Sequence, residues 1–167
     1  LILSASLNQQ NFLGTGKAFG LSVNTSKINR SFAVSYADPY YTPEGVSRAF
    51  DLYSRNFNAD ELDLGDYKWR SSGVGIRYGI PYTEFDRISM GLTFETNTLK
   101  LGDNAPQRFK DYVADFGEDS SALLAVIGWQ RDSRDSAFAP TKGRFQTATL
   151  EVTLPTLDMR YARALYN

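Results

Sequence analysis

The chain has 167 residues, and its 18 basic and 19 acidic side chains leave a net charge of −1 at pH 7, so no excess of positive charge points to a nucleic-acid partner. Cysteine and histidine are both absent, which excludes disulfides, thiolate metal sites and the commonest general base of enzymes. Aromatic residues reach 14%, a composition that favours β-structure, and the longest apolar run, 122–127, is far shorter than the roughly 18 residues of a membrane-spanning helix.

Apolar and polar residues alternate with a period of two along most of the chain, which is the pattern of a β-strand with two different faces. In the first segment Leu3, Ala5 and Leu7 alternate with Ser4, Ser6 and other polar residues. The same pattern predicts nine strands, in chain order at 1–10, 18–26, 31–37, 46–57, 70–80, 87–98, 122–131, 144–154 and 159–166. All six prolines are expected between these segments, because proline cannot donate to a strand ladder.

The connections between the predicted strands alternate in character. Turns punctuated by Gly or Pro, at 11–16, 38–45, 81–86 and 132–143, alternate with a second set that includes the long segments 58–69 and 99–121. Alternate connections of a meander lie at opposite ends of the sheet. The predicted fold class is therefore all-β, an antiparallel up-and-down meander of about nine strands.

Two architectures share this alternation. A soluble β-sandwich turns its apolar face inward, whereas an outer-membrane barrel turns it to lipid and encloses a polar lumen. The polar phase here is rich in Ser, Gly, Ala, Thr and Asn, while a solvated outer face usually carries more Lys and Glu. Predicted strand lengths near ten residues also match the roughly 9–11 that cross a bilayer at a tilt. The pattern favours part of a larger transmembrane barrel, with a soluble sandwich binding module as an alternative.

In a membrane barrel the two phases acquire different surroundings. The apolar phase would face lipid, at Leu3, Leu7, Phe32, Val34, Val74, Ile76, Met90 and Leu92. Charged residues of the polar phase would line the lumen as structural groups, at Asp51, Arg55, Arg77, Glu95 and Glu151. Aromatic residues near strand ends would lie at the membrane interface, at Tyr40, Tyr41, Tyr82 and Phe85.

The longest connection contains a predicted amphipathic helix. Pro106 stands at the expected first helical position and Gly117 at the expected stop. The apolar face of this helix would consist of Phe109, Tyr112, Val113 and Phe116. We expect this face to pack on neighbouring loops, with binding of a partner as the alternative.

Metal, cofactor and catalytic sites are not predicted. The acidic segment 60–66 lacks the alternating oxygen ligands of a calcium loop, and 14–17 lacks the Ser or Thr that a phosphate loop requires. The charged turn at 131–135 has no recognised catalytic partner elsewhere in the chain. The chain is therefore expected not to be an enzyme.

Four stretches carry a resemblance to a known family. Residues 9–16 read Gln-Gln-Asn-Phe-Leu-Gly-Thr-Gly, and they are followed by the turn at 38–47, by 79–85 and by Pro-Thr-Lys-Gly at 140–143. In this order they resemble the periplasmic turns of the BamA family, the outer-membrane protein assembly factors. The resemblance implies that residues 1–167 are a partial barrel domain, equivalent to the second to tenth strands of a sixteen-stranded barrel of a Gram-negative outer membrane. Periplasmic POTRA domains, the first strand and the C-terminal strands would then lie outside the chain.

The resemblance also implies a function. Such proteins fold and insert other outer-membrane proteins, without nucleotide or covalent chemistry, and their partners are the bilayer, unfolded client barrels and accessory lipoproteins bound through the POTRA domains. The seam between first and last strands and the Val-Arg-Gly loop motif of the family are not in this sequence, so no functional residue is carried over. A passive channel or porin is the alternative, in which the lumen charges would tune permeation.

Overall fold

The computed structural model describes residues 2–62, 65–136, 138–154 and 161–167. Its strands form one antiparallel sheet, in which each strand is paired with its neighbours in the chain. The strands are β1 (Leu3–Gln9), β2 (Ala18–Thr25), β3 (Asn29–Asp38), β4 (Ser47–Asn58), β5 (Tyr67–Pro81), β6 (Asp86–Leu101), β7 (Asp119–Asp132), β8 (Phe145–Thr153) and β9 (Ala162–Tyr166). The predicted nine-stranded up-and-down meander is confirmed.

The central strands are longer than the alternation predicted. β5 begins before residue 70 and β6 continues past residue 98, because the backbone ladder runs on through Lys68↔Lys100 to Tyr67↔Leu101. There the phase of the alternation inverts, so that cations occupy the face that is apolar in the middle of the sheet. Pro81 is the last residue of β5 and not part of the turn, so its predicted place between strands was wrong. A proline is tolerated there because the ladder needs no further donor. The ninth strand begins at Ala162, and residues 155–160, which include Pro155 and the predicted start at 159, lie outside the described ranges.

Connections alternate between the two ends of the sheet. The connections β1–β2, β3–β4, β5–β6 and β7–β8 share one end, here called the turn end, and the connections after β2, β4 and β6 share the other, the loop end. In the β7–β8 connection Gly143 has a φ of +92°, and a Cβ there would overlap the Ser133 carbonyl. Only glycine fits this turn.

The α-helix α1 (Gln107–Phe116) lies in the β6–β7 connection at the loop end, and short 3-10 helices lie at Phe12–Gly14 and Asp60–Leu62. Pro106 was predicted as the first helical residue, but it is the N-cap, and the helix begins at Gln107, one residue later. Gly117 follows the last helical residue, as predicted. No helix in the described ranges is long and apolar enough to cross a membrane.

The sheet has no enclosed core. Val34, Leu52, Val74 and Phe94 follow one another across adjacent strands on one face, and the latter three side chains are 42–52% exposed. Among the described residues no large side chain is fully buried, and the buried apolar ones are alanines. A sandwich would cover this face with a second layer, so the sandwich alternative was wrong.

Candidate functional site

The strand register separates the predicted charged and apolar sets onto opposite faces. We call the face with Asp51, Arg77 and Glu95 the polar face, and the other the apolar face. The apolar face holds Leu3, Leu7, Phe32, Val34, Val74, Ile76, Met90 and Leu92, all of them exposed or half-buried. Contact of this face with lipid remains a prediction.

An ion pair joins β4 and β5 on the polar face. The guanidinium of Arg77 donates through Nη2 at 2.7 Å and through Nε at 3.0 Å to one carboxylate oxygen of Asp51. The Arg77 side chain is 61% exposed, so water screens this pair and its contribution to stability is small. The two opposite charges of the pair compensate each other.

The next polar unit spans three strands. Tyr53, Gly73 and Glu95 are successive partners across β4, β5 and β6. The Tyr53 ring crosses over Gly73, and its hydroxyl donates to Glu95 Oε2. Glu95 Oε1 accepts a 2.9 Å hydrogen bond from the Asn97 amide, and the Arg55 guanidinium lies 5.3 Å from the centre of the Tyr53 ring. Arg55 and Glu95, two of the predicted lumen residues, therefore lie around one tyrosine.

Glu151 lies apart from the other predicted lumen charges. Its carboxylate accepts hydrogen bonds from Arg163 at 3.1 Å and from the Tyr161 hydroxyl at 2.8 Å. The partners Tyr53, Tyr161 and Arg163 were not predicted. Alternation assigns a residue to a face, but it does not say which residue of the next strand lies opposite.

A cavity of about 870 Å³ lies between the polar face and α1 at the loop end. Its polar walls include Arg55, Glu95 and Asn97, and the side-chain oxygen of Asn97 is buried without a hydrogen bond. The Phe109 ring lies 4.7 Å from the Tyr67 ring, so the helix is attached to β5 through this contact. Of the other predicted face residues, Val113 is half-buried, Tyr112 stacks with Phe116 at 5.2 Å, and Phe116 is 68% exposed.

The predicted interfacial aromatics lie together at the turn end. Tyr40 and Tyr41 belong to the β3–β4 connection and Tyr82 and Phe85 to the β5–β6 connection, and their side chains are 45–77% exposed. The Arg48 guanidinium lies 3.8 Å above the Tyr41 ring, a cation–π contact.

Hydrogen-bonded carboxylates fix the turn end. Asp86, which is 9% exposed, accepts from the Trp129 indole at 3.1 Å and from Arg131 at 3.3 Å. In the β7–β8 connection Asp135 accepts from the Thr141 hydroxyl and from the backbone amides of Lys142 and Thr141. These donors lower the pKa of the Asp135 carboxyl to about 2.

Several polar groups of this arrangement pair with one another. In the described ranges no group of three acidic residues is placed to hold a metal ion. The cations of the polar face at Arg77 and Arg163 bind carboxylates, and the Tyr53 hydroxyl is committed to Glu95. This geometry fits a sheet face that is in contact with water.

Comparison with known proteins gives the family. The Omp85 superfamily domain matches residues 11–167. The outer membrane protein assembly factor BamA of Neisseria meningitidis serogroup B is 32% identical over 177 residues, which covers 100% of this chain and 22% of that protein. The structure of BamA from Haemophilus ducreyi lacking POTRA domains 1-3 matches with a TM-score of 0.74 and 22% identity, over 98% of this chain and 33% of that one.

These matches confirm the predicted family, fold and outer-membrane location. The chain spans 22% of the length of the Neisseria relative, so it corresponds to one part of such a protein. The likeness to the Haemophilus ducreyi structure covers all nine strands and shows the fold alone. The chain belongs to the Omp85 superfamily, as part of a BamA-like outer-membrane β-barrel.

Proposed function

We propose that this chain is a barrel segment of an outer-membrane protein assembly factor, which folds and inserts other β-barrel proteins. The observation that carries the proposal is a single-layered sheet with one uncovered apolar face and one polar face of paired charges. Its relative in Neisseria is named as an assembly factor. Both features fit a wall that separates lipid from a wet lumen.

The segment contributes structure to this function and no covalent chemistry. In lipid every backbone donor and acceptor must be satisfied, and the ladders from β1 to β9 do this within the wall. A client strand entering the membrane meets the same requirement, which a strand edge elsewhere in the complete barrel would satisfy by β-augmentation. The wall in this chain would keep that edge in place.

The partners follow from the same proposal. The apolar face contacts the acyl chains of the bilayer, the clients are unfolded outer-membrane proteins, and accessory lipoproteins bind through POTRA domains beyond this chain. The protein acts without a cofactor and is not an enzyme. These are the partners that the family resemblance implies.

Reconstitution tests the proposal against the channel alternative. The complete protein is placed in phosphatidylcholine vesicles, and the folding rate of an added client barrel is followed by its shift on gels of unheated samples. We expect folding to be several-fold faster than in vesicles that contain an unrelated barrel of similar size. Ion conductance without faster client folding would contradict the proposal and favour a passive channel.

A further inference from the structure

Five cations gather around a shallow groove of about 680 Å³ at the loop end. We call them the basic cluster, and they are Lys27, Arg30, Lys68, Arg70 and Lys100. Glu118 and Asp119 are the only carboxylates among the described residues that line the groove. The groove is therefore strongly positive, although the whole chain has a net charge of −1.

Register places the cluster at the edge of the apolar face. Arg30, Asn56 and Arg70 form one row across β3, β4 and β5, and Lys68 pairs with Lys100 in the row beyond. Towards the middle of the sheet the preceding row presents hydroxyls, with Ser54 and Ser72 hydrogen-bonded at 2.9 Å. Leu52, Val74 and Phe94 form the next row. Along this face the surface thus changes from apolar to hydroxyl to cationic.

The cations of the cluster are free for a ligand. In the described ranges none of the five forms an ion pair, and all five side chains are exposed. Five cations elsewhere do contact a carboxylate, among them Lys17, Arg77 and Arg131. Glu118 and Asp119 offset only part of the charge of five cations, and neither carboxylate forms an ion pair with them in the described ranges.

The arrangement is unfavourable without an anion. Lys68 and Lys100 are direct cross-strand partners, and like charges in that position destabilise a sheet. Arg70 is two residues from Lys68 on the same face. An anion with several oxygens could contact all three cations and remove their repulsion.

We propose that the basic cluster binds phosphate-bearing lipid headgroups in the leaflet at the loop end. The inference rests on the proposed function, because only a barrel in the membrane holds the cluster at headgroup depth. The continuous apolar face beneath the cluster favours a lipid over a soluble anion, since acyl chains of the same molecule would cover Leu52 and Val74. The hydroxyl row lies at the level of the polar backbone of such a lipid.

Lipid retention tests the proposal. The complete protein is placed in phosphatidylcholine nanodiscs doped with bis-phosphorylated lipid A, and bound lipid A is counted by native mass spectrometry. The test variant is Lys68→Gln/Arg70→Gln/Lys100→Gln, and the control Arg87→Gln/Lys142→Gln/Arg144→Gln removes the same charge at the turn end. We expect the test variant to retain at least about tenfold less lipid A, because each removed cation weakens binding to anionic lipid. The control should equal the wild type.

Each other outcome has a defined meaning. Equal lipid A retention by test variant and control would overturn the proposal, as would wild-type protein that does not prefer lipid A to phosphatidylcholine. Displacement of lipid A by an equal concentration of inorganic pyrophosphate would also overturn it, since the cluster would then be a site for soluble anions. Client folding is measured separately, in phosphatidylcholine vesicles instead of nanodiscs. If it fails while the lipid A result holds, the assembly function is wrong and the lipid site stands.

Discussion

Tyr53 and Gly73 show how single residues determine the geometry of the polar face. The two are cross-strand partners, and the absence of a side chain at Gly73 allows the Tyr53 ring to lie flat across β5 and reach Glu95. The Tyr53 ring covers the backbone of β5 at Gly73, where there is no side chain, and the Tyr53 hydroxyl donates a hydrogen bond to the Glu95 carboxylate. One glycine therefore supports a contact that spans three strands.

The first prediction concerns Gly73→Ala. Its Cβ would lie 2.6 Å from the Tyr53 ring, so the ring must move and release Glu95. We expect a loss of about 1–3 kcal/mol in the free energy of unfolding, measured for the complete protein by urea titration in vesicles. The same substitution in a Tyr53→Ala background should cost much less. An equal cost in both backgrounds would show that the ring is not the cause.

The second prediction concerns pH and Asp135. Its pKa is about 2 in the folded chain, against about 3.9 when unfolded, so the ionised carboxylate stabilises the β7–β8 connection above about pH 4. This stabilisation is lost as the pH falls through about 2. We expect amide exchange of Thr141 and Lys142, corrected for intrinsic rates, to accelerate over that range. Asp135→Asn should show fast exchange already at pH 5, whereas Asp103→Asn should not.

The third prediction uses neighbours on opposite faces. Leu92 is 47% exposed on the apolar face, and Thr93 points to the polar face. We expect Leu92→Arg to cost about 2–4 kcal/mol in bilayers, because a cation near the midplane is poorly solvated by lipid. Thr93→Arg should be close to neutral in the same titration. If the two variants lost equal stability, our assignment of the faces would be wrong.

At the scale of elements, α1 depends on few contacts. Phe109 packs against Tyr67, while Phe116 is mostly exposed. We therefore expect Phe109→Ser to release the helix and to increase proteolysis in the β6–β7 connection at least several-fold, with barrel stability retained. Phe116→Ser is the matched control and should leave proteolysis unchanged. Loss of client folding with Phe116→Ser would instead indicate that this face binds a partner.

Strand positions could be predicted well from the sequence, and strand ends could not. Alternation depends on the different surroundings of the two faces, so it identifies most of the nine strands, although the segments of β7 and β9 alternate poorly. The phase of the alternation inverts at the loop end, where Lys68 and Lys100 occupy the face that is apolar in the middle of the sheet, although the backbone ladder continues there. The predicted strands end where the original phase ends, and this is why β5 and β6 are longer than predicted.

The candidate site could be predicted only in outline. Alternation predicts that Asp51 and Arg77 lie on the same face of the sheet. Their diagonal contact cannot be predicted without the register between β4 and β5. The basic cluster is a clearer example, because its five residues are spread from Lys27 to Lys100 along the chain. Only the order and stagger of four strands bring them to one corner.

At the scale of the whole molecule, the sheet is a wall with two unlike surfaces. In the described ranges its large apolar side chains are left uncovered, which in water would cost roughly 25 cal/mol for each Å² of exposed apolar surface. The fold therefore needs a non-aqueous solvent on one side. The outer-membrane location supplies it, and the paired charges of the other face remain in water.

Single-residue labelling tests this central claim most directly, and the absence of cysteine from the chain makes each label unique within it. In the complete protein, with any cysteines elsewhere replaced, a fluorophore is attached at Val74→Cys, Leu92→Cys, Ser35→Cys or Thr93→Cys in vesicles. Our account predicts that brominated acyl chains quench the first two labels and that aqueous iodide quenches the last two. Quenching of all four by iodide alone, or the reverse pattern, would contradict it.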